Sequence, residues 1–191
     1  MKILAVSDIE ESILLSSTNE RFRDIDCILS CGDLEYPYLD MLTSRINAPL
    51  YYVWGNHDSQ STNGGVCLED QIVDMNGFKV CGFGGSMRYK PGNHMYTEKE
   101  MRHRLMRFRH SHLFLRSVDI FVTHAPAKGY GDLDDLCHTG FDCFNDFLEY
   151  YKPKYMLHGH VHLNYGRLQS QYQHPSGTKI INVYGYQIIE L

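Results

Sequence analysis

Five short clusters along the chain carry side chains able to bind metal ions and move protons. In order they are Asp8-Ile9-Glu10, Gly32-Asp33, Gly55-Asn56-His57-Asp58, His124 and Gly159-His160-Val161-His162. Their carboxylate, amide and imidazole groups form a mixed oxygen and nitrogen donor set, which suits Mn²⁺, Fe or Zn²⁺ better than Ca²⁺. Any one cluster alone reads as a turn or a polar loop. Five in succession, each closing a short apolar run, are hard to explain as turns.

The apolar runs are the elements that must position these groups. Residues 2–7, 27–30, 49–53, 120–123 and 155–157 are short and bounded by Gly, Asp or Asn, as strands buried on both faces are. Helices are expected between them at 38–46, 97–116 and 141–151. The second is the clearest: Thr97 and Glu100 are spaced as a capping box, and Met101, Leu105, Phe108 and Leu115 approximate one apolar stripe. Asn76-Gly77 marks a tight hairpin between residues 72–75 and 78–83. From Leu163 onward, further strands and turns are expected. Strands alternating with helices, plus hairpins, make an α/β domain with mixed sheets. Ligands of such sheets gather beyond the carboxyl ends of the strands, where every cluster falls.

The bulk numbers agree with one globular domain over 1–191. The chain has 191 residues, 43% hydrophobic and 21% charged, an ordinary balance that argues against disorder. A formal net charge of -5 disfavours long-range attraction to nucleic acid or an anionic membrane. No stretch is long enough to span a bilayer, and residues 1–6 read as a first strand rather than a secretory signal. The six cysteines contain no CxxC pair, so buried reduced thiols and a cytoplasmic location are expected.

As a set, the clusters closely resemble the metallophosphoesterase (calcineurin-like phosphoesterase) family, whose motifs run D-x-H, G-D, G-N-H-[DE], H and G-H-x-H. Four of the five blocks match in full. The runs Gly84-Gly85-Ser86-Met87-Arg88-Tyr89 and Thr123-His124-Ala125-Pro126 also look like small bacterial members. The resemblance implies a four-layer sandwich of two mixed β-sheets flanked by α-helices. It also implies two divalent metal ions, Mn²⁺ foremost, with Fe, Zn²⁺ or Mg²⁺ as alternatives. Asp33 would bridge them, Asp8 and His162 would complete one site, and Asn56, His124 and His160 the other. A water between the metals would lose its proton and attack a phosphodiester or phosphomonoester. His57 would assist the leaving group as general acid or cation, with Asp58 orienting it.

Glu10 stands where the family pattern has histidine. It either ligates the first metal as a carboxylate, giving a harder ligand set, or points away and leaves that site weakened. Arg88 reads either as a bidentate holder of a phosphate oxygen or as a surface arginine. His138 reads either as a lid residue over the site or as part of a solvated loop. The arginines at 102, 104, 107 and 109 read as a solvated helix face, and a nucleic-acid surface is the less favoured alternative. The expected partner is a small phosphate ester. The competing functions are a nuclease and a protein-binding scaffold on the same fold, as in the retromer subunit.

Overall fold

The computed structural model describes residues 1–16, 20–58, 64–165 and 168–191. Its strands begin with β1 (Lys2–Ser7), β2 (Cys27–Ser30), β3 (Leu50–Tyr52), β4 (Val66–Cys67), β5 (Ile72–Met75) and β6 (Phe78–Phe83). They continue with β7 (Ser86–Met87), β8 (Met95–Tyr96), β9 (Ile120–Thr123), β10 (Tyr155–His158), β11 (Gln171–Gln173), β12 (Lys179–Asn182) and β13 (Gly185–Glu190). The helices are α1 (Ser12–Leu15), α2 (Tyr36–Ile46), α3 (Glu98–Ser111) and α4 (Asp142–Tyr151).

Two large mixed sheets result, of order β13-β1-β2-β3-β4 and β11-β12-β10-β9-β6-β5, with β7 and β8 forming a separate ribbon. β1, β2, β3 and β4 run parallel, and β13 returns antiparallel beside β1. In the second sheet β6, β9, β10 and β12 are parallel, edged by antiparallel β5 and β11.

Alternation along the strands assembles the layers, since neighbouring side chains point to opposite faces. Ile3, Ala5 and Leu29 of the first sheet pack between the sheets against Val80, Ile120, Val122 and Leu157 of the second. On its outer face the first sheet turns Leu4, Val6 and Ile28 toward Leu39 and Leu42 of α2. The second sheet turns Phe83, Phe121 and Met156 toward Phe108 of α3 and Phe144 and Phe147 of α4. Helices, sheet, sheet and helices therefore stack in four layers, as expected. No helix among the described residues is long and apolar enough to cross a membrane. All six cysteines are free thiols, and four of them are buried.

Local details depart from the sequence reading in two places. The Thr97–Glu100 capping box forms, but α3 ends at Ser111 rather than 116. His112 leaves helical geometry and places its ring Nδ1 2.9 Å from the Phe108 carbonyl, so Leu115 reaches the core from beyond the helix. Second, Arg104 is not on the solvated face. It is buried, as taken up below.

Candidate metal centre

Each cluster follows the carboxyl end of a parallel strand. Asp8 follows β1, Asp33 β2, Asn56 and His57 β3, His124 β9, and His160 and His162 β10. The first three strands lie in one sheet and the last two in the other, and contacts between the sheets draw these ends together. The backbone N–H of His160 donates to both carboxylate oxygens of Asp8, at 3.0 and 3.2 Å. Within the second sheet, the Gly159 N–H donates to the His124 carbonyl at 3.0 Å.

The backbone is bent to achieve this. Asp8, Asp33 and His160 sit at φ of 65°, 56° and 65°, the left-handed region that Asp, Asn and His enter more readily than other side chains. Two glycines leave room for the carboxylates. A Cβ on Gly55 would lie 2.0 Å from Oδ1 of Asp33, and one on Gly159 would lie 1.9 Å from Oγ of Ser7 and 2.4 Å from Oδ2 of Asp8.

The electrostatics of the centre follow from hydrogen-bond accounting. Nδ1 of His124 lies 2.7 Å from the Cys31 carbonyl, so that nitrogen must donate. Nε2 then carries the lone pair, yet it faces Oδ1 of Asn56 at 3.0 Å and Oδ2 of Asp33 at 3.3 Å. Three acceptors converge with no donor among them, an arrangement resolved by a cation or by turning the Asn56 amide so that its unpartnered Nδ2 donates. Without a metal the cation is a proton. Burial pushes the His124 imidazole down, but the Asp33 and Asp8 carboxylates outweigh it and hold its pKa up at about 9. His160 spends Nε2 on the Cys137 carbonyl at 2.8 Å, which leaves the Nδ1 lone pair. Burial and the His124 charge push His160 down to about 3. Ligand atoms of Asp33, His124 and His160 lie within 4.8 Å of one another. Buried oxygen and imidazole lone pairs in this arrangement fit a divalent cation.

Asp8 is held above the usual carboxylate range, with burial as the largest cause. Nε2 of His162 stands 3.9 Å from its Oδ1, and the His162 side chain is 34% exposed. These two face each other at one flank of the centre. The His57 backbone N–H donates to Oδ1 of Asp33 at 2.8 Å, while its side chain is exposed. Oδ2 of Asp58 accepts the N–H groups of Gly55 at 2.7 Å and Asp33 at 3.1 Å. Asp58 thus shapes the loop that carries Asn56 and His57.

The remaining candidates are placed differently. Glu10 is exposed, and among the described residues neither it nor Asp8 nor His162 joins the group formed by Asp33, His124 and His160. Arg88 donates to the Met95 carbonyl and to Glu100 of the α3 capping box, so its charge is engaged by α3. The His138 ring centre lies 5.2 Å from that of His160, and its Nδ1 pairs with Asp135 at 2.9 Å.

Sequence reading missed three supports. The carbonyls of Cys31 and Cys137 set the tautomers of His124 and His160, and a backbone atom leaves no mark in residue types. His158 is fully buried beside the centre, and burial drives its pKa down to about 4. Glu69 accepts the N–H groups of Trp54 and Gly84, both at 2.9 Å, and pairs with Arg104 of α3. Arg104 also binds Asp70 and the Gly84 carbonyl, and it lies 4.5 Å from the Tyr96 ring centre. This buried network anchors the start of the loop bearing Asn56.

Residues 1–164 match the family model described as calcineurin-like phosphoesterase. A UPF0046 protein of Caenorhabditis elegans is 27% identical over 119 residues. That match covers 61% of this chain and only 28% of the nematode protein. One solved crystal structure superposes with a TM-score of 0.71 at 15% identity, covering 98% of this chain and 94% of the other. A Thermus thermophilus protein superposes with a TM-score of 0.65 at 17% identity, covering 96% and 89%. These two likenesses concern the fold.

Proposed function

The chain belongs to the calcineurin-like phosphoesterase family, and we propose that it hydrolyses a small phosphate ester at the cluster between its two sheets. The observation that carries this reading is the convergence of His124 Nε2, Asn56 Oδ1 and Asp33 Oδ2 with no donor among them. Asp33 would be shared between two divalent ions, Mn²⁺ foremost. Asp8 and His162 would hold one of them, and Asn56, His124 and His160 the other. When bound, such ions supply Lewis-acid stabilisation of phosphate oxygens and a water acidified to near neutral pH.

The chain's own groups do the rest. The Cys31 and Cys137 carbonyls engage one nitrogen of His124 and His160 each, so that the other nitrogen of each ring keeps its lone pair. Asp33 fixes the main chain of His57, whose exposed imidazole gives a proton to the departing ester oxygen. Asp58 positions that loop through Gly55 and Asp33. Glu10 is exposed, and the first site is assigned to Asp8, Asp33 and His162 without it. A phosphodiester of small size is the preferred substrate class, and the net charge of -5 weighs against nucleic acid. A protein-binding scaffold would have no use for buried lone pairs held this way.

Hydrolysis of bis(p-nitrophenyl) phosphate and p-nitrophenyl phosphate by metal-stripped protein reloaded with Mn²⁺ tests the proposal. Metal-dependent turnover with preference for the diester is expected, falling at least about 100-fold in Asp33→Asn. His57→Ala should slow esters with poor leaving groups most. Turnover that needs no metal, or that survives Asp33→Asn, would overturn it.

A further inference from the structure

We propose a second metal site, separate from the central cluster, in which Asp135, Cys137 and His138 hold one thiophilic divalent cation of the Zn²⁺ type. The three offer a carboxylate oxygen, a thiol sulfur and an imidazole nitrogen, all within 4.8 Å of one another. Ligands of one tetrahedral zinc lie roughly 3.5 Å apart, so closure on an ion asks for shifts of about 1 Å. Asp135 and His138 stand 2.9 Å apart, joined by a hydrogen bond that an ion would replace.

Donor chemistry separates this trio from the central cluster. Thiolate selects Zn²⁺ over Mn²⁺ or Mg²⁺, and the central residues offer no sulfur. Three protein ligands and a fourth position left to water match an open zinc site. The segment is also folded to present them. Asp135 Oδ1 accepts the backbone N–H groups of Cys137 and His138, both at 3.0 Å, and the Thr139 hydroxyl donates to the Asp135 carbonyl at 2.7 Å. Asp135 is exposed and its two partners are half-buried, so an ion can reach them. Binding forms a sulfur–metal bond and releases the thiol proton to solvent. The site abuts the centre, because the Cys137 carbonyl is the partner of Nε2 of His160.

Anaerobic titration of the metal-stripped protein with Co²⁺ tests this, because a sulfur ligand gives near-ultraviolet charge-transfer absorption that nitrogen and oxygen ligands do not. The wild type should develop that absorption together with the visible bands of the central cluster. Cys137→Ser should lose the near-ultraviolet band and keep the visible bands of the central cluster, and Asp135→Asn should weaken Co²⁺ binding at this site at least about 10-fold while sparing the thiol. Asp33→Asn should do the reverse, disturbing the visible bands alone. Visible bands without charge transfer in the wild type, or charge transfer that survives Cys137→Ser, would overturn the second site and leave the central one standing. A protein that takes up no Co²⁺ would overturn both.

Discussion

Nε2 of His124 stands 3.0 Å from the amide oxygen of Asn56, while Nδ1 of the same ring is held 2.7 Å from the Cys31 carbonyl. The ring can donate toward Asn56 and Asp33 only as a cation. A metal ion and a proton therefore compete for one lone pair.

That competition makes the metal-free protein sensitive to pH in both directions. The pKa of His124 rises from 6.5 to about 9, so its contribution is full below 6.5 and is lost as pH climbs through 9. His160 and His158 are depressed to about 3 and about 4, so the neutral forms that the fold holds are favoured above 6.5, and stability fades as pH falls toward those values. Stability should peak near neutrality, with an alkaline loss of about 3 kcal/mol from His124. Urea unfolding of the stripped protein from about pH 5 to about pH 10 measures both limbs.

Metal should remove the alkaline limb and add stability of its own. At about 100 times its Kd, a ligand that binds only the native state adds about 2.7 kcal/mol. For a chain of this size that corresponds to a rise in Tm of roughly 5–10 °C. Thermal denaturation with and without Mn²⁺ should show such a rise, cut to less than half in Asp33→Asn.

Gly159→Ala separates packing at the centre from packing elsewhere. Its methyl group would overlap Ser7 and Asp8, displacing a ligand rather than merely straining a turn. Metal affinity should fall about 10- to 100-fold, the range seen when groups supporting a ligand are lost. Arg88→Ala, whose partners are the Met95 carbonyl and the half-exposed Glu100, should leave metal affinity unchanged. Calorimetric titration with Mn²⁺ distinguishes the two.

The Glu69–Arg104 pair should behave as a buried ion pair. Arg104→Ala leaves the carboxylate of Glu69 with the Trp54 and Gly84 N–H groups as its partners among the described residues, and a cost of about 3–5 kcal/mol is expected. Because a neutral pair leaves no buried charge uncompensated, and the Gln carbonyl can still accept from Trp54 and Gly84, Glu69→Gln with Arg104→Met should recover part of that loss. Chemical denaturation of the single and double variants gives the coupling.

What could be read from the sequence was whatever depends on neighbouring residues. The Thr97–Glu100 box, the Asn76-Gly77 hairpin and the strand ends carrying Asp8, Asp33 and His124 are local patterns, and the structure places them as expected. Arg104 was illegible because its partners, Glu69 and Asp70, lie far earlier in the chain and meet it only once α3 docks. The pairing of β13 with β1 is equally non-local, joining the two ends of the chain. The tautomers of His124 and His160 depend on carbonyls of Cys31 and Cys137, which the residue letters do not encode. Arg88 reads from the sequence either as a phosphate holder or as a surface arginine, and its pairing with Glu100, which also caps α3, is not visible there.

The central claim is that Asp33 is shared by two metal ions, and electron paramagnetic resonance of the Mn²⁺-reconstituted protein addresses it most directly. Two Mn²⁺ bound to one carboxylate couple magnetically, so the wild type should give the multiline spectrum of a coupled pair at two equivalents per chain. Asp33→Asn should give uncoupled ions or none. A wild-type spectrum that remains that of isolated Mn²⁺ at saturation would contradict the two-metal account.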